Sequence, residues 1–83
     1  MNTAHTDYQE LKNALQYFFT VEEQMYLIPL LLSWSGNAEK AMFWFNHRRI
    51  PAFGGQTAKF ICENGNQKLF IEYIHSAELG GYT

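Results

Sequence analysis

The sequence predicts an all-α, single-domain protein of about five short helices, and three observations carry that expectation. Apolar residues recur at helical spacing nearly throughout. Residues that cap helix ends punctuate them, and no run alternates apolar and polar residues over a useful strand length. A chain of 83 residues has room for one domain and no more.

Residues 1–19 form the N-terminal helix, in which Tyr8, Leu11, Leu15 and Phe18 fall on one face. Thr20 followed by Glu23 is a capping-box signature, hydroxyl and carboxylate each accepting from the other's free backbone N–H. It opens a second helix toward Trp34, which Pro29 should kink or restart because proline has no N–H to donate. Gly36 ends that helix, and Asn37 caps a third from Ala38 to Asn46 that presents Ala41, Met42, Trp44 and Phe45. The stretch from Arg48 to Gly55 cannot be regular helix. Pro51 biases Ile50 toward extended angles, and Gly54 and Gly55 can take positive φ in a tight turn. Thr57 then caps a short helix that stops at Asn64-Gly65. Asn66 caps the last one, whose inner face would be Leu69, Phe70, Tyr73, Ile74 and Ala77 before Gly80-Gly81. Phe18, Trp34, Trp44, Phe60 and Phe70 are the expected aromatic core.

A net charge of −2 does not mark a dedicated polyanion binder, and 17% aromatic residues are too many for a disordered segment. Charge is nonetheless divided: residues 1–39 sum to −4, residues 40–62 to +4 and the remainder to −2. So short a chain buries a modest fraction of its surface, and Cys62, its single cysteine, cannot staple it. A homodimer or another partner is therefore expected to complete it. The N-terminus has neither the basic nor the apolar region of a signal peptide. The longest apolar stretch, Met25 to Leu32, contains Pro29 and is far shorter than a bilayer span. A soluble cytoplasmic protein with no membrane partner is the expectation.

Catalytic readings are weak. Cys62 has no basic neighbour in sequence to favour a thiolate, so a buried, idle thiol is the better reading. His5, His47 and His75 show no His-x-x-x-His spacing, and no second cysteine exists, so neither a metal site nor a cofactor is expected. Ser33, Ser35 and Ser76 lack a nucleophile turn, and Glu22-Glu23 sit where acids favourably face a helix dipole. Gly54-Gly55-Gln56-Thr57 lacks the Lys-Ser/Thr of a phosphate loop and reads as an interhelical turn. Lys40, Arg48, Arg49 and Lys59, with Trp44, Phe45 and Phe53 nearby, could touch nucleic acid. A solvated helix end is the simpler account, and an acidic protein partner would use the same patch equally well. An enzyme is not expected.

The C-terminal half is more specific. Ala41-Met42-Phe43-Trp44-Phe45 is followed by Ile50-Pro51-Ala52-Phe53-Gly54-Gly55-Gln56-Thr57, then Gly65, and the chain closes on Ala77-Glu78-Leu79-Gly80-Gly81-Tyr82. Residues 20–83 thereby resemble the antitoxin toxin-binding domain of the Xre/MbcA/ParS type. That family carries Ala-x-x-Trp-Leu, Pro-x-Leu-Gly-Gly-x-Thr-Pro and an Ile-Glu-x-Gly-x-Tyr-like tail. Ala58 stands where the family has its second proline, and the helix before Gly36 is shorter than usual and holds Pro29. The resemblance implies a protein that neutralises a cognate RES-type toxin, one that consumes or transfers from NAD, by occluding its cleft. Carried over by position, Glu78, Leu79, Gly80, Gly81, Tyr82 and Thr83 would contact the toxin. Pro51, Gly54, Gly55 and Thr57 would shape the scaffold. Family members commonly place a DNA-reading region first. The segment before Gly36 is too short for it, so DNA binding is not expected of this chain alone. A small DNA-binding regulator using Lys40–Lys59, or a homodimeric helical scaffold without a toxin, are the rival functions.

Overall fold

The computed structural model describes residues 3–80, with side chains from Thr6 onward. Five helices follow in order: α1 (Thr3–Leu15), α2 (Val21–Ser35), α3 (Ala38–His47), α4 (Ala58–Glu63) and α5 (Gln67–Glu78). Between α3 and α4 lie β1 (Arg49–Ile50), a 3-10 turn (Pro51–Phe53) and β2 (Gln56–Thr57). The two strands pair antiparallel, Arg49 opposite Thr57 and Ile50 opposite Gln56. The class is mostly helical, as the periodicity requires, with one small hairpin added. Strands of 2 residues each are too short to show alternation, so no period-2 signal marks them.

Helix ends follow local chemistry. The Thr20 hydroxyl accepts from Glu23 N–H at 3.1 Å while the Glu23 carboxylate accepts from Thr20 N–H at 2.8 Å, a complete capping box. Gly36, at φ +99°, closes α2 by donating to Leu32 O, and the Asn37 side chain accepts from Lys40 N–H to open α3. Pro29 neither splits nor restarts α2, which runs unbroken from Val21 to Ser35. Pro29 faces solvent, so water can take the Met25 carbonyl that loses its N–H partner.

Asn66 is not a side-chain cap. Its backbone is already committed to closing α4: Asn66 N–H reaches Ile61 O and Gly65 N–H reaches Cys62 O, the paired bonds of a Schellman stop with Gly65 at φ +81°. That leaves Asn66 outside the extended conformation a side-chain cap needs, at φ −101°, ψ 40°.

The core gathers Leu11 and Leu15 of α1, Leu27, Ile28 and Leu31 of α2, and Ala41 and Phe45 of α3. Phe19 and Ala38 add to it, and Ile50, Phe53, Ala58, Ile61, Cys62, Phe70 and Ile74 complete it from the hairpin, α4 and α5. Phe70 is its centre: the ring lies 5.6 Å from Phe45, 5.8 Å from Phe19 and 6.1 Å from Trp44. Trp34 and Phe60 do not belong to this core, being 49% and 46% exposed. Ala58, Ile61 and Cys62 turn the inner stripe of α4 away from Phe60, and Trp34 lies in the last turn of α2, past the packed layer. Leu69 is likewise exposed, because Phe70 and Ile74 set the buried face of α5. Phe18 lies beyond the end of α1, half-buried, with its ring 6.0 Å from Phe45.

Candidate functional site

The end of α5 is the most elaborated part of the surface. Ala77 and Glu78 form its last turn, Leu79 caps it by donating to His75 O, and Gly80 at φ +82° donates to Ala77 O. A left-handed glycine here turns the chain off the helix axis at no steric cost. Leu79 is 73% exposed, a large apolar side chain left outside the core at the point of exit.

This end is fastened to α2. The Tyr26 hydroxyl donates to Glu78 Oε1 at 2.7 Å and lies 3.2 Å from His75 Nδ1. A phenol has one proton to give, so His75 Nδ1 must carry the hydrogen of its own contact. His75 and Glu78 stand 3.8 Å apart, one helical turn from each other. Desolvation, the Glu78 hydrogen bond and the Glu78 charge together push the Tyr26 phenol up to about 12. The tyrosine is therefore neutral and donating throughout the physiological range.

Beside this clasp runs an open groove of about 770 Å³ between the ends of α2 and α5 and the middle of α3. Leu30, Trp34, Trp44, Tyr73 and Ala77 form its apolar walls, and Glu78 is the one charged residue on its rim. Exposed Trp34 owes its position to this groove. Grooves of this make bind apolar or aromatic groups and orient them through few polar contacts.

The other predicted residues are placed as follows. Pro51 starts the 3-10 turn, Gly54 N–H returns to Pro51 O at φ +67°, and Gly55 N–H reaches Ile50 O at φ +85°. Thr57 Oγ1 accepts from Phe60 N–H and opens α4. Together they bring Phe53 inward, 5.1 Å from the Tyr73 ring, and so brace α5 from beneath the groove. These four are structural. Lys40, Arg48, Arg49 and Lys59 are all exposed but do not form one patch. Strand pairing sets Arg49 opposite Thr57, two residues before Lys59, whereas Lys40 stands at the opposite end of α3 from Arg48, about 12 Å along the helix. Gly81, Tyr82 and Thr83 lie outside the described residues, as does the side chain of His5.

Cys62 is buried on α4, and burial together with the Glu23 charge pushes its thiol up to about 12. It is no nucleophile at neutral pH. Among the described residues no three His, Cys, Asp or Glu side chains group closely enough to hold a metal ion. No helix among them is long and apolar enough to cross a membrane. Tyr26 and Trp34 are the site residues that sequence patterns did not reveal. Nothing local in the sequence signals that Tyr26 reaches across to meet His75 and Glu78.

The fold and the groove define a small, mostly helical domain with an apolar groove at the end of its last described helix. Compared with known protein families, curated proteins and solved structures, the chain matches none.

Proposed function

We propose that this chain is an antitoxin-like protein that binds a RES-type, NAD-consuming toxin and covers its active-site cleft with the end of α5 and the residues beyond. The observation that carries this reading is the end of α5 itself. The Tyr26–Glu78 bond fixes the last turn on α2, and exposed Leu79 and left-handed Gly80 follow directly on that anchored turn. The resemblance of residues 41–57 and 77–82 to the toxin-binding motifs supports it further. An anchored last turn that presents Leu79 loses little entropy when it enters a cleft, which favours tight occlusion. Glu78 serves first as the anchor, and its second oxygen, which has no partner among the described residues, remains for the toxin. The action is stoichiometric protein–protein contact in the cytoplasm. It involves no catalysis, cofactor or metal of its own.

Cells expressing a RES-type, NAD-consuming toxin provide the test. The full chain should restore growth and the NAD pool. A chain lacking residues 79–83 should keep its helical circular dichroism and lose protection. Rescue by the truncated chain, or no rescue by the full one, would refute the reading.

A further inference from the structure

Both tryptophans of the chain, Trp34 and Trp44, line the groove beside the α2–α5 clasp, and Tyr73 stands with them. Two of these three rings are braced by the core: Trp44 lies 6.1 Å from Phe70, and Tyr73 lies 5.1 Å from Phe53. Trp34, 49% exposed, is the open wall. At about 770 Å³ the groove has room for several side chains, and among the described residues no Lys, Arg or His lines it. Its only charge is that of Glu78.

Glu78 decides what can sit there. Tyr26 donates to its Oε1 at 2.7 Å, and His75 Nδ1 stands 3.8 Å from the same atom, so the clasp uses one oxygen and leaves Oε2. A wholly apolar occupant would take that oxygen from water with nothing in return, which is costly for a carboxylate. An acidic occupant would add repulsion. A cation offsets the loss, and the aromatic walls favour one as well, because the ring face carries the negative part of the quadrupole. Of the two long basic side chains, arginine suits the groove better. Its guanidinium is planar, weakly hydrated, stacks on aromatic faces and forks onto a carboxylate, whereas the lysine ammonium is compact and strongly hydrated.

We infer that this groove receives an arginine side chain, flanked by apolar residues, from the protein that binds the end of α5. The guanidinium stacks on the tryptophan wall and pairs with the free oxygen of Glu78, while the flanking side chains fill the rest of the groove against Leu30 and Ala77. The inference rests on the reading of the α5 end as a partner-binding surface and names the chemistry that partner must present. A short peptide carries that chemistry, so the groove can be tested without a toxin.

The probe is a capped Leu-Arg-Leu peptide, with Leu-citrulline-Leu as its neutral isostere. Because both tryptophans line the groove, intrinsic fluorescence of the full chain reads its occupancy directly. The arginine peptide should shift the emission saturably at millimolar concentration, and the citrulline peptide should bind roughly tenfold more weakly. Glu78→Gln keeps an acceptor for Tyr26 but removes the charge. That variant should bind both peptides alike, with unchanged circular dichroism. Trp34→Leu should weaken arginine binding severalfold, read from the emission of Trp44. Equal affinity for the two peptides in the wild type, a preference that survives Glu78→Gln, an undiminished affinity in Trp34→Leu, or no saturable response would overturn the inference. Failure of growth rescue with the peptide preference intact would refute the toxin reading alone.

Discussion

Burial acts on Cys62 and Tyr26 in the same direction, and the consequence is alkaline sensitivity. The thiol moves from its ordinary 9.0 to about 12, and the phenol from 10.0 to about 12. Each group holds its proton more tightly in the fold than in the unfolded chain. The stability linked to it is therefore complete below the unfolded value and is lost as pH rises toward the folded one. Denaturation profiles should thus be flat with respect to these groups up to about pH 9 and decline above it. Cys62→Ala supplies the check. Its cavity lowers stability at neutral pH, but the gap to wild type should narrow above pH 9.0 because the variant has no thiol to ionise. A constant gap through pH 11 would mean that the thiol is not shielded.

At the scale of elements, α2 is held by two opposing local effects. Its capping box satisfies two backbone donors at the start, so Thr20→Ala should cost about 1 kcal/mol in chemical denaturation. Pro29 in its interior works the other way. Because the residue is exposed, Pro29→Ala should raise stability by about 1–3 kcal/mol and lift the melting temperature by several degrees. A lower melting temperature would show that the ring packs against something essential. These two sites also mark how far sequence reasoning reached. Caps at Thr20, Asn37 and Thr57, the glycine stops and the Gly54-Gly55 turn were legible because each is written in adjacent residues. Asn66 was not, since its conformation is dictated by how α4 ends. Nor were the exposure of Trp34 and Phe60 or the Tyr26–Glu78 bond, which depend on how helices far apart in sequence come to lie. For the end of α5, the sequence pattern singled out the stretch from Glu78 onward. The groove beside it emerged only from packing.

Across the whole molecule, stability is concentrated at Phe70, where α5 meets aromatic rings from α3 and from the turn after α1. Phe70→Ala should cost about 3–5 kcal/mol. For a chain this small, that is a large share of the total, so the variant should melt at or below room temperature. A cooperative transition within a few degrees of wild type would show that Phe70 is not central.

The position of Phe70 also orders events during synthesis. Domains fold as they emerge, N-terminal parts first, yet α5 is the last of the five helices to leave the ribosome. Until it does, Phe19, Phe45 and Trp44 lack the Phe70 ring that packs on all three, and Tyr26 has no Glu78 to hold. A chain cut short before α5 would therefore remain open on the side Phe70 covers, and would be a target for proteolysis. The aromatic core and the Tyr26–Glu78 clasp are completed by the same helix, so only a chain translated through α5 can form both.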